Sequence, residues 1–121
     1  MKKNNIRDYA VSAFRFYSLF LKKEKHIVLP QNNMLASGSI LDIIAVKKTL
    51  DELNKTERGR EIIKAVKIVY FTMPERPIKR GEITDRVNKA ATEIHTSQPT
   101  IYRFLNCAEV LFAKNRGLRI S

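Results

Sequence analysis

The sequence predicts an all-α chain, built as an N-terminal aromatic helix followed by a four-helix domain that ends in a helix-turn-helix. Three observations lead there. Hydrophobic residues make up 44% of the 121, enough to fold, whereas Gly and Pro number only four each and no alternating strand period appears. Apolar residues instead recur at three- and four-residue spacing along most of the chain. Finally, the stretch from Ala91 to Leu105 carries two such runs parted by three residues, which leaves room only for a tight turn. A chain of this length holds one domain, or a small domain with an arm.

Taken in order, residues 1–5 are polar and expected to fray. From Ile6 to Lys23 the residues Ile6, Ala10, Ala13, Phe14, Tyr17, Phe20 and Leu21 share one helical face. That face packs on the domain, or on a second copy to give a homodimer. Its basic last turn, Lys22-Lys23-Glu24-Lys25, also fits a helix lying on a partner or membrane surface. Residues 24–39, with Pro30, Gln31-Asn32-Asn33 and Ser37-Gly38-Ser39, read as a linker, and Ile27-Val28-Leu29 is apolar enough to tuck into a groove. Ser39 then caps a helix from Ile40 to Asn54 that carries Leu41, Ile44, Ala45, Lys48, Leu50 and Leu53 at helical spacing. Thr56 caps another from Glu57 to Phe71, stopped by Met73-Pro74-Glu75-Arg76-Pro77.

A basic loop, Ile78-Lys79-Arg80-Gly81-Glu82, leads to the motif, and Thr84 is the expected cap of the helix carrying Val87, Ala90, Ala91 and Ile94. Ser97 caps the last helix, which runs from Gln98 to about Lys114 with Pro99 tolerated in its first turn, and Gly117 is placed to stop it in the left-handed conformation. Residues 1–38 thus form the N-terminal helix and linker. Residues 39–116 form the helical domain, with the helix-turn-helix at 84–114, and 117–121 are a tail.

Charge narrows the partners. Lys and Arg number 23 against 12 Asp and Glu, a formal net charge of +11, so a polyanion is expected. A helix entering the major groove of duplex DNA presents short or forked polar side chains from its first two turns. Ser97, Gln98, Pro99, Thr100, Tyr102, Arg103 and Asn106 occupy that place. Arg103 can pair with a guanine edge or a phosphate, and Gln98 or Asn106 with adenine; Ser97, Thr100 and Tyr102 suit phosphates. Lys79, Arg80, Arg86, Lys89, Lys114, Arg116 and Arg119 can flank them on the backbone.

Other chemistry finds little footing. The single cysteine, Cys107, excludes an internal disulfide and is expected to be a small buried or half-buried hydrophobe; with only His26 and His95 beside it, no usual zinc site can form. The carboxylates sit mostly beside Lys or Arg on helix surfaces, with no recurrent metal-ligand spacing, so neither an enzyme nor a cofactor is expected. No signal peptide or membrane span is visible, and a reducing cytoplasm fits.

Ala91 to Arg103 resemble a common bacterial helix-turn-helix pattern: Ala, then Leu-Gly-Ile-Ser, two free positions, Thr-Val and a basic residue two further on. Here it stands as Ala91, Ile94-His95-Thr96-Ser97, Thr100-Ile101 and Arg103. His95 replaces the turn Gly and Thr96 an apolar residue. The wider stretch 40–114 resembles region 4 of bacterial sigma factors and the phage transcriptional regulators of the ArpU type. Val46-Lys47-Lys48-Thr49-Leu50-Asp51-Glu52-Leu53, then Glu57-Arg58 and Val69-Tyr70-Phe71, carry the likeness ahead of the motif. The resemblance implies a sequence-specific, double-stranded DNA-binding transcriptional regulator, of phage or mobile-element type, that reads promoter DNA with the helix from Gln98 and contacts RNA polymerase. Residues 1–39 do not resemble the sigma segments that melt promoters. The alternative function is a DNA-binding assembly protein of the small-terminase kind, marking phage DNA for packaging, which would form rings.

Overall fold

The computed structural model describes residues 3–24 and 37–118. Five α-helices follow one another: α1 (Lys3–Glu24), α2 (Ser37–Leu53), α3 (Glu57–Tyr70), α4 (Glu82–Ile94) and α5 (Gln98–Arg116). No strand occurs among the described residues. The all-α expectation therefore holds. Ile27-Val28-Leu29, His26 and Arg119 lie outside the described residues.

One apolar core joins all five helices. α5 lies at its centre, packed against each of the other four, and sends Ile101, Phe104, Leu105, Ala108, Phe112 and Ala113 inward. The aromatic face of α1 closes the core from one side. Phe14 is fully buried, its ring centroid 5.7 Å from that of Phe112 and 6.0 Å from that of Tyr70, and Tyr9 sits 6.0 Å from Phe112. Ring pairs at this separation add to the area they bury. Since Ala10, Ala13, Phe14 and Tyr17 are consumed inside this fold, a homodimer through α1 would have to use its outer side.

The boundaries of α1 and α2 differ from expectation at their N-termini: α1 starts at Lys3, and α2 at Ser37, which puts Ser39 inside the first turn. The face of α2 differs more. Leu41 and Ile44, apolar positions of the helical spacing, are 48% and 56% exposed, and the buried residues are Ala45, Val46, Thr49 and Leu53. α2 carries apolar groups on most of its circumference, so hydrophobicity alone does not select a side. Polar links do. Fully buried Thr49 donates to the carbonyl of Ala45 and accepts from Asn115 Nδ2 at 3.0 Å, while Asp42 Oδ1 accepts from the Tyr9 hydroxyl (2.7 Å) and Arg116 Nε (2.8 Å). These contacts turn the polar edge of α2 toward α1 and the end of α5.

The α2–α3 turn depends on a residue without a side chain. Thr56 caps α3 by accepting from the amide of Gly59 at 2.9 Å, and a Cβ on Gly59 would lie 1.7 Å from the Leu53 carbonyl oxygen. Gly to Ala inside a helix ordinarily stabilises by up to about 1 kcal/mol. Here the sign reverses, because backbone must move: Gly59→Ala is expected to cost roughly 2–3 kcal/mol and to lower the thermal midpoint by roughly 10 °C. An unchanged midpoint in calorimetry would refute the close approach.

Candidate nucleic-acid interface

The turn between α4 and α5 is built by two caps in succession. α4 ends at His95, whose backbone is left-handed (φ 60, ψ 51). The amide of Thr96 reaches the Ala91 carbonyl (2.9 Å) and that of His95 the Thr92 carbonyl (3.3 Å), which satisfies two carbonyls at the helix end. His95 thus does the work of the glycine it replaces, as its tolerance of positive φ allows. Ser97 then accepts from the Thr100 amide at 3.3 Å and starts α5, with Pro99 in the first turn where no amide partner is needed. At the far end Gly117 (φ 81) repeats the left-handed stop.

Ile101, Phe104 and Leu105 hold the first two turns of α5 to the core, and Gln98, Pro99, Tyr102, Arg103 and Asn106 are exposed on the opposite side. No hydrogen bond or ion pair within the described residues engages the side chains of Gln98, Arg103 or Asn106. Ser97 and half-buried Thr100 are turned to each other, with their hydroxyls 3.0 Å apart, so their first duty is to the cap. Lys79, Arg80, Lys89 and Lys114 are likewise exposed and unpaired among the described residues.

Two cations expected on that surface are elsewhere. Arg86 is 8% exposed: its guanidinium donates to the Val69 carbonyl (2.8 Å) and to Glu82 Oε2 (3.0 Å), tying α4 to the end of α3. Arg116 is held by Asp42. Both are spent on the fold, since arginine's fork matches carboxylate and carbonyl oxygens. Thr84 is not the α4 cap either; Gly81 stands at the N-cap with φ 85. Cys107, expected to be buried or half-buried, is exposed on the outer side of α5.

The loop between α3 and α4, which carries Lys79 and Arg80, is positioned by side chains the sequence did not single out. Arg15 of α1 donates to the carbonyls of Met73 (3.0 Å) and Arg76, and Ser18 to that of Phe71 (3.1 Å). Glu82 accepts two bonds from Arg76 (2.7 and 3.0 Å) and one from the Lys79 amide (2.7 Å). The spacing Arg76-x5-Glu82-x3-Arg86 was the available signal. Arg76, the Lys79 amide and Arg86 hold the Glu82 carboxyl down to about 2. Elsewhere on α5, burial pushes the Glu109 carboxyl up, opposed by the Tyr70 hydroxyl and Arg7.

Among the described residues no group of His, Cys, Asp and Glu could hold a metal ion, and no helix is long and apolar enough to cross a membrane. No family model, curated protein or solved structure matches the chain.

Two outcomes follow from this geometry. A carboxyl whose folded pKa lies below its unfolded value stabilises the fold above the unfolded value and loses that contribution as pH falls. For Glu82 the window runs from about 4.5 down to about 2. Glu82→Gln should flatten the decline of thermal midpoint across that window; a decline equal to wild type would sink the assignment. At the turn, His95→Gly is expected to be neutral or stabilising by up to about 1 kcal/mol, and His95→Val to cost about 1–2 kcal/mol. Urea midpoints check both, and equal effects would contradict a left-handed residue 95.

Proposed function

We propose that this protein is a sequence-specific, double-stranded DNA-binding regulator of transcription, of phage or mobile-element type, that reads base edges with the first two turns of α5. A single observation carries the reading. The outward side of those turns bears Gln98, Tyr102, Arg103 and Asn106, polar groups with no internal role in holding α5, on a helix that a tight turn and a buried opposite face keep rigid. Rigid presentation of forked and amide side chains is what major-groove readout requires. The net charge of +11 supplies the attraction to phosphates. Lys79 and Arg80 from the loop, Lys89 from α4 and Lys114 from α5 are cations near the motif with no partner among the described residues.

RNA polymerase is the second partner the sigma region 4 resemblance implies, and the sigma-like arrangement of α2 to α5 belongs to the same proposal. Ring assembly in native mass measurements would favour the packaging alternative instead.

Selection of bound sequences from random duplex DNA tests binding, specificity and half-site symmetry together. On the selected site Arg103→Ala is expected to weaken binding by about 1–3 kcal/mol and to relax discrimination at one base pair. Lys114→Ala should weaken all sequences alike and lower the salt slope by about 1. Unchanged binding by Arg103→Ala would remove α5 as the reading helix.

A further inference from the structure

We propose that the cleft between α1 and α5 is a binding site for a compact primary ammonium compound, held over the carboxylate of Glu109. Glu109 is the only buried carboxylate among the described residues, 5% exposed on the inner edge of α5. Its Oε2 accepts from the Tyr70 hydroxyl at 2.7 Å. Its Oε1 forms a long ion pair with Arg7, whose Nε is 4.0 Å away, beyond hydrogen-bond reach, on a side chain that is 65% exposed and so keeps its charge in water. A carboxylate this far withdrawn from bulk water is stabilised by a contact cation or further donors, and within the fold this one has a single hydrogen bond and a distant ion pair, with Oε1 facing the cleft.

The space beside it is shaped for a cation. A cleft of about 140 Å³ opens there, lined by Arg7, Tyr70, Ile83, Tyr102, Leu105, Asn106 and Glu109. Cavities near this volume take a molecule the size of benzene, which limits the ligand to about six non-hydrogen atoms. Tyr102, Asn106 and Glu109 are spaced four and three residues apart, which lines them up along one edge of α5 from the exposed side inward. An ammonium group has three donors, and Glu109 Oε1, the Asn106 side-chain oxygen and the Tyr102 ring are the available partners for it. Ile83 and Leu105 offer a short alkyl tail an apolar wall. A free anion is excluded by the carboxylate. Arg7 is the competitor, because its guanidinium is the nearest cation.

Tyr102 and Asn106 also belong to the proposed DNA face, so occupancy of the cleft would alter DNA affinity; that part rests on the DNA reading, and the site itself does not.

The probe is butylammonium chloride at constant ionic strength, followed by amide NMR shifts of the whole chain, with 1-butanol as the neutral isostere and tetramethylammonium as a cation without N–H donors. Saturable shifts are expected for residues lining the cleft with butylammonium, and none with the two controls. Arg7→Ala should tighten binding roughly twofold to fivefold by removing a solvated competitor. Glu109→Gln should weaken it at least roughly tenfold. If Glu109→Gln does not fold, Asn106→Leu at the exposed lip serves, with the same direction of loss. Shifts absent, non-saturable or equal with butanol overturn the site, as does indifference to both Arg7→Ala and the carboxylate or lip variant. DNA titrations with and without butylammonium then separate the two readings. Failure to bind any DNA defeats the regulator proposal alone, and unaltered DNA affinity with saturable cleft shifts defeats the coupling alone.

Discussion

Burial of one face of α5 is the constraint on which the rest of the molecule depends. That face meets the other four helices, and its largest fully buried side chain, Phe112, is locked in an aromatic group with Phe14 and Tyr9 of α1 while Phe14 stacks on Tyr70 of α3. Removing a buried Phe costs about 3–5 kcal/mol, a large share of the stability of a domain this size. The rotation of α5 about its axis is therefore set by the core. Its outward residues have no freedom to choose a direction, and Gln98, Arg103 and Asn106 project where the inward residues leave them. Polar links fix the other end: Asn115 to Thr49 and Arg116 to Asp42 stop α5 from sliding along α2.

Cations divide into two populations by what surrounds them. Arg15, Arg76, Arg86 and Arg116 bond carbonyls and carboxylates inside or along the seams of the fold, whereas Lys79, Lys89 and Lys114 stand in solvent. The division follows from chemistry, since a planar guanidinium can serve two oxygens at once and an ammonium prefers water. Net charge consequently overstates the groups available to a polyanion. Among the described residues Arg80 and Arg103 are the exposed arginines of the motif region, and of these Arg103 stands on the outer side of α5.

Much of this was legible in the sequence where a single local force decides. The start of α3 and both ends of α5 follow from Thr56, Ser97 and Gly117, whose capping roles need no tertiary contact, and the left-handed His95 was readable from the turn pattern. Misreadings occurred where a distant partner decides. Leu41 and Ile44 fit a core pattern as well as Val46 does, and only Tyr9 and Arg116 bonding to Asp42 resolve which side of α2 turns in. Arg86 looks like any basic residue of a DNA-binding helix until the Val69 carbonyl is known to lie beside it. Cys107 follows average burial for its type, yet it falls one residue outside the buried arc of α5. In the interface, exposure of Gln98, Arg103 and Asn106 was predictable from the helical period; the removal of Arg86 and Arg116 from it was not.

Glu109 shows how the two faces of α5 constrain each other. An exposed carboxylate within one turn of Asn106 and two of Arg103 would repel phosphates in low-salt solution. Drawn inward, it meets solvent only through the narrow cleft beside it, and the Tyr70 hydroxyl ties it to α3. The same withdrawal creates the opposite problem of an anion in an apolar wall. Burial and the Tyr70 bond oppose each other at this carboxyl, and burial is the stronger, so its proton is held more tightly than usual. A group in that balance is sensitive to any positive charge brought near it. The side chains between it and the surface, Tyr102 and Asn106, are those that α5 presents to its surroundings. The edge of α5 between core and solvent therefore carries the buried carboxylate of the described residues, next to the residues that any duplex bound by this helix would have to meet.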